Sequence, residues 1–325
     1  MDPYKYLNIC FNPDGSLTRN GAARLLPPSP AGEPVEADGP TRRIVHSNDA
    51  PLNDANGTTV RLFVPSGPGG GGGGSGRLPL ILYFHGGGYV LFRAASEPFH
   101  NTCTALAATI PAAVASVDYR LAPEHRLPAA FEDAADAVRW VRSYAAASPG
   151  SGRPVFLMGS HAGASIAFRA ALAAVDEGLE LRGLILNQPH HGGVKRTAAE
   201  ASSVDDRVLP LPANDLLWEL ALPVGADRDH EYCNPETMLA GVDAARLRRL
   251  PPCLVLGRRK DPPRDRQRTL VEALQNAGVP IEARLDGAGY HAMELFKQDR
   301  AAEFIAQVTD FVHRHAGAGA GRSRL

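Results

Sequence analysis

Apolar positions in this chain fall into short runs separated by helical stretches, and the rhythm repeats along most of its length. Thr59-Val60-Arg61-Leu62-Phe63-Val64 alternates as a half-buried strand does. Leu78-Pro79-Leu80-Ile81-Leu82-Tyr83-Phe84 is continuously apolar, the pattern of a strand covered on both faces. Pro111 to Val117, Val155 to Met158, Leu184 to Leu186, Cys253 to Leu256 and Ile281 to Leu285 are further predicted strands. Between them, Phe131 to Ala147 is a helix with Phe131, Ala134, Val138 and Val141 on one stripe, and a second helix spans Ala162 to Val175. A third, Arg266 to Ala277, stops at Gly278, where a left-handed C-cap belongs. The last, Arg300 to His315, carries Phe304, Ile305, Val308, Phe311 and Val312. This alternation predicts an α/β fold: a mostly parallel central sheet flanked by helices.

Two segments break the rhythm. Residues 1–45 are proline-rich and irregular after one short helix, and 193–250 are helical and punctuated by proline. Both are expected to form a lid over the C-terminal edge of the strands, where open parallel sheets bind ligands. The predicted organisation is a lid over 1–45, an α/β domain over 46–315 with the 193–250 insertion, and a disordered tail over 316–325. The near-pure glycine stretch Gly67 to Gly76 reads as a flexible linker without a packing role.

Composition narrows the function. The 325 residues balance 34 Lys and Arg against 35 Asp and Glu, a net charge of −1, which gives no footprint for nucleic acid and no polybasic anchor. At 44% hydrophobic the chain can build a sizeable core. No apolar run approaches the roughly 18–20 residues of a membrane span. Met1-Asp2-Pro3-Tyr4-Lys5 does not open a signal peptide, so the expected compartment is the cytoplasm, with the nucleus admitted beside it. Cys10, Cys103, Cys233 and Cys253 are widely scattered and read as buried free thiols rather than a disulfide framework or a zinc knuckle.

The chemistry concentrates in three places. His85-Gly86-Gly87-Gly88-Tyr89 follows the apolar strand, and three glycines there let backbone N–H groups face an incoming oxygen, as an oxyanion hole requires. Gly159-Ser160-His161-Ala162-Gly163, between a strand and a helix, is the frame of a nucleophile elbow, G-x-S-x-G, with histidine at the serine position. Asp261 and His291 each follow a strand, in the elbow–acid–histidine order of the α/β-hydrolases, and Asp265 is a rival acid.

With those residues and four further stretches, the chain resembles plant-type carboxylesterases of the hormone-sensitive-lipase group of α/β-hydrolases, which includes the gibberellin receptor. The stretches are Asn12-Pro13-Asp14-Gly15-Ser16-Leu17-Thr18-Arg19, Asp118-Tyr119-Arg120-Leu121-Ala122-Pro123-Glu124-His125, Pro128-Ala129-Ala130-Phe131-Glu132-Asp133-Ala134 and Asp261-Pro262-Pro263-Arg264-Asp265-Arg266-Gln267. The resemblance runs from about residue 3 to 315. It implies oxyanion donors at Gly86, Gly87, Gly88 and the amide of Ala162, an acid at Asp261, a base at His291, and a structural role for His125. It implies no metal and no organic cofactor. Tyr89, Ser160, His190 and His191 are pocket candidates. Departures are His161 for serine, Ala164 for a frequent glycine, and His190-His191 where the group often has two phenylalanines.

A histidine at the elbow leaves three readings open. Imidazole lacks the hydroxyl of the ester intermediate, so turnover is weak or lost and the pocket binds a small ester or hydrophobic acid, with a protein partner if the role is receptor-like. Alternatively His161 is itself a nucleophile or a general base for water; Ser160 beside it is a poor substitute, because neighbouring side chains of a tight turn point apart. Lastly, His161, His291 and one of His190 or His191 form a three-imidazole metal site.

Overall fold

The computed structural model describes residues 1–21, 23–36, 42–67, 78–146 and 152–317. In chain order the elements are α1 (Pro3–Leu7), β1 (Ile9–Phe11), β2 (Leu17–Arg19), β3 (Glu33–Glu36), β4 (Arg42–Asn53), β5 (Thr58–Pro65) and β6 (Leu80–Phe84). Next come α2 (Glu97–Thr109), β7 (Ala113–Asp118), α3 (Ala129–Ala146), β8 (Val155–Ser160), α4 (Ala162–Asp176) and β9 (Gly183–Asn187). The insertion carries α5 (Ala198–Ala201), α6 (Leu211–Ala221), α7 (Pro235–Ala240) and α8 (Ala244–Leu247). The chain closes with β10 (Cys253–Lys260), α9 (Arg264–Asn276), β11 (Ile281–Tyr290), a 3-10 turn (Met293–Leu295) and α10 (Gln298–Ala316).

Nine strands among the described residues form one sheet in the order β11-β10-β9-β8-β6-β7-β5-β4-β3. The six from β11 to β7 run parallel, and β5, β4 and β3 extend the sheet antiparallel. Period-two alternation divides the core. Leu80, Leu82 and Phe84 of β6 pack into the cluster shared with α3 and α4, while Ile81 and Tyr83 join the one shared with α2 and α10. Val155 and Leu157 of β8 divide from Phe156 and Met158 in the same way. These strands read as continuous apolar runs because both faces are covered.

Several boundaries move. The predicted N-terminal lid over 1–45 is too long, because β3 pairs with β4 inside the main sheet and only the segment before β3 is free to cover it. The largely polar, proline-containing sequence of β4, with apolar residues only at Ile44, Val45, Ala50 and Leu52 besides Pro51, hid a twelve-residue strand whose partners lie on both sides. The strand expected to end at Leu285 continues to Tyr290 as a half-exposed edge, and β10 runs on to Lys260. Only the front of the 193–250 insertion approaches the C-terminal sheet edge; α7 packs on α9 and α8 on α4. Gly278 takes φ +84° beyond α9, as expected of its cap position. Most of the glycine stretch (68–76), Ala147 and tail residues 318–325 lie outside the described residues, while Ala316 closes α10 rather than opening a disordered tail. All four cysteines are free, but Cys10 is exposed rather than buried. Among the described residues no helix is long and apolar enough to cross a membrane.

The motif residues outside the site act as fasteners. Arg19 of β2 donates to both carboxylate oxygens of Glu124, at 2.9 and 2.6 Å, and to the carbonyls of Val90 and Ala122. That fork ties the N-terminal hairpin to the loop after the glycine run. Asp133, fully buried, accepts from the backbone and the guanidinium of Arg120. His125 is exposed.

Candidate active site

The elbow is shaped by close approach. A methyl on Gly159 would lie 2.0 Å from the Gly163 carbonyl oxygen, and one on Gly163 the same distance from that of Phe84. Only glycine permits β8 to turn so sharply into α4. His161, at the tip, is held at φ 58°, ψ −118°, a strained conformation for a residue with a side chain. Its N–H donates to the Asn187 carbonyl at 2.8 Å, and its own carbonyl accepts from His190 and Ala164.

Asp261 and His291 come together from adjacent strand ends. The Nδ1 of His291 lies 2.7 Å from Asp261 Oδ1, and Gln267 donates to the other carboxylate oxygen at 2.8 Å. Asp265, the rival, instead accepts from the backbone of Ala199 at the start of α5. Burial alone would lower the His291 pKa, but the Asp261 carboxylate outweighs it and raises the imidazole above its usual range.

Facing His291 is the imidazole of His161, with ring centroids 4.5 Å apart and planes inclined at 50°. Burial and the neighbouring His291 depress the His161 pKa below its usual range. Its Nε2 lies 3.2 Å from Glu294 Oε1, off the line of a full hydrogen bond. Glu294 also accepts from Asn187 at 2.6 Å and Gln188 at 2.9 Å. Burial pushes its carboxyl up, but His161, a backbone hydrogen bond and the Asn187 amide prevail and hold it at about 2. Glu294 is the residue that sequence reasoning missed. The available signal was an acid three positions after His291 in the otherwise apolar run Ala292-Met293-Glu294-Leu295-Phe296, where one 3-10 turn returns it to the elbow.

Above this floor is a cavity of about 350 Å³. Gly87 and Gly88 line it with His161, His190 and His291. Tyr6 and Leu7 of α1 and Arg207, Leu209 and Leu217 of the insertion form its roof, so both interrupting segments do reach the site. The Tyr6 hydroxyl donates to the Arg207 carbonyl at 2.8 Å, joining the two.

Other candidates are placed elsewhere. Gly86 does not line the cavity, because the His161 ring lies against it; a methyl there would be 2.5 Å from Nδ1. Ala162 is fully buried behind the elbow. Ser160 points beneath it, where Tyr83 and Asn187 donate to its hydroxyl at 3.0 and 3.3 Å, as expected of neighbours on a tight turn. Tyr89 is buried against Trp218 and Phe131 rather than in the cavity. His190 does line it, with Nε2 2.6 Å from the Asn214 side-chain oxygen and its ring stacked on Trp218. His191 turns away, fully buried, and among the described residues neither ring nitrogen has a hydrogen-bond partner. Among the described residues no three His, Cys, Asp or Glu side chains form a metal-binding group.

A family model for the alpha/beta hydrolase fold matches residues 81–295. The Arabidopsis thaliana protein named "Probable carboxylesterase 8" is 40% identical over 98% of this chain and 95% of its own. The gibberellin receptor of Oryza sativa subsp. japonica is 36% identical over 63% of this chain and 58% of its own. Among solved structures, the esterase of Pyrobaculum calidifontis superposes with a TM-score of 0.70 at 26% identity, covering 84% of this chain and 86% of its own. With this fold, strand order and site frame, the chain belongs to the α/β-hydrolase family, in its hormone-sensitive-lipase group of plant carboxylesterases.

Proposed function

We propose that this protein binds a small, mainly apolar carboxylic ester or hydrophobic acid in the cavity above His161, and that ester cleavage by the serine route is weak or lost. The observation that carries this reading is the elbow itself. In the serine mechanism a hydroxyl gives its proton to the imidazole while its oxygen attacks the carbonyl carbon. Here the position facing His291 holds a second imidazole, and the nearest hydroxyl, on Ser160, is engaged below the turn. The cavity, its apolar roof and the glycine loop remain to receive a ligand. The receptor-like form of this reading adds a protein partner, which would meet the lid once ligand is seated.

A second reading, hydrolysis by His161 as nucleophile or base, is favoured by one observation: its ring lines the cavity and faces His291. Hydrolysis of p-nitrophenyl acetate by the protein and by His161→Ser separates the two. Fast turnover by the serine variant alone supports binding as the present role. Fast turnover by the original protein, abolished in His161→Ala, overturns it in favour of histidine chemistry.

A further inference from the structure

The site holds two buried carboxylates where an esterase triad needs one. Asp261 serves His291, and Glu294 stands beside His161. Glu294 is almost wholly buried, yet it needs no proton, because the side-chain amides of Asn187 and Gln188 each donate to one of its oxygens. A buried carboxylate 3.2 Å from a ring nitrogen discriminates sharply between that nitrogen's two states. A lone pair there would face negative charge in a low-dielectric setting, whereas an N–H would be attracted.

We infer that Glu294 is a positioning residue for the elbow histidine: it fixes His161 with its proton on Nε2, directs the Nδ1 lone pair against the glycine loop at Gly86, and so holds the elbow closed to a substrate carbonyl. This rests on the binding reading above and says how the site is kept in that state. The imidazole fills the volume next to Gly86 that the elbow's smaller serine leaves open. The carboxylate and the histidine are therefore a matched pair. Replacing His161 by serine alone leaves Glu294 ionised in the site, where its charge favours the proton on His291 and slows, without abolishing, its action as a base.

Two measurements on the full chain test this. The first is a long-range proton–nitrogen NMR spectrum with nitrogen-15 histidine, with His161 assigned by its disappearance in His161→Gln. The neutral Nε2-H tautomer is expected near pH 7, changing to a mixture in Glu294→Gln. A purely structural Glu294 would alter stability and leave the tautomer unchanged. An Nδ1-H or charged ring in the original protein, or an unaltered tautomer in Glu294→Gln, overturns the inference. The second compares p-nitrophenyl acetate hydrolysis by His161→Ser with and without Glu294→Gln. Removing the carboxylate should raise the rate about tenfold or more by freeing the base; an equal or lower rate counts against the pairing. Absence of hydrolysis from both variants, with the tautomer as expected, refutes the intact-machinery reading and leaves the positioning role standing.

Discussion

The imidazoles of His161 and His291 face each other at a centroid distance of 4.5 Å, across the space that a serine hydroxyl and its base share in an esterase. One ring is tied to Asp261 and titrates above its usual range; the other lies by Glu294 and titrates below it. The opposite shifts have different causes: burial first, and then the neighbouring His291, lowers His161, while the Asp261 carboxylate raises His291 against its own burial. A proton arriving at this site resides on His291.

That assignment makes Asp261 indispensable to any regained activity. In a His161→Ser background, Asp261→Asn should lower kcat for p-nitrophenyl acetate by about 10⁴-fold, since the orientation of the base is lost while binding remains. A loss smaller than tenfold would mean that His291 is not the base.

Stability should fall steadily with acid. Burial lowers His190 to about 4 and His191 to about 3, so below about pH 6.5 the unfolded chain takes up protons that the folded one refuses. Each such group removes on the order of 2 kcal/mol between about pH 6.5 and 5. Glu294, held at about 2, adds a further loss as pH drops below the unfolded carboxyl range of about 4.3. His291 acts in the opposite sense, its contribution being present in acid and lost as pH rises through its elevated folded value. Urea denaturation at pH 7 and pH 5 should give a lower midpoint at pH 5; equal midpoints would contradict the buried neutral imidazoles.

His191→Phe offers a control with an unusual sign. Among the described residues both ring nitrogens of His191 are buried without hydrogen-bond partners, so an apolar ring of similar shape removes a desolvation cost. At pH 7 the substitution should be neutral or stabilising by about 1 kcal/mol. It should also flatten the pH dependence between 5 and 7, read by the same urea titrations; a destabilised variant with an unchanged slope would refute it.

The elbow glycines admit no side chain. Gly163→Ala drives a methyl to 2.0 Å from the Phe84 carbonyl oxygen, against backbone that cannot rotate aside. A loss of about 3 kcal/mol or more is expected, with ligand binding and any esterase signal falling together. A thermal midpoint within a degree of the original would show that β8 and α4 are packed more loosely than described.

Tyr6→Phe cuts the bond between the N-terminal segment and the carbonyl of Arg207 without changing the apolar roof. Because the bond is exposed, global stability should change by less than about 1 kcal/mol, while ligand should leave faster. Stopped-flow dissociation of a bound p-nitrophenyl ester analogue reads this; an unchanged off-rate would mean that the two segments do not close over the ligand together.

Much of this protein was legible from local pattern. Strands β5 to β11, the helices α3, α4, α9 and α10, the glycine loop and the elbow could be placed because burial on two faces, period-two alternation and sharp turns each demand particular residues within a few positions, whereas α2 (Glu97–Thr109) went unread. The sequence alone determined the α/β-hydrolase frame and the presence of histidine at the middle of Gly159-Ser160-His161-Ala162-Gly163. Only the tertiary structure decided that β3 and β4 belong to the sheet, that Asp261 rather than Asp265 meets His291, that His190 faces the cavity while His191 does not, and that Glu294 stands beside His161. Each of these depends on strand register, loop path and burial between residues far apart in the chain, and no short window of sequence encodes where a carboxylate will find its partner.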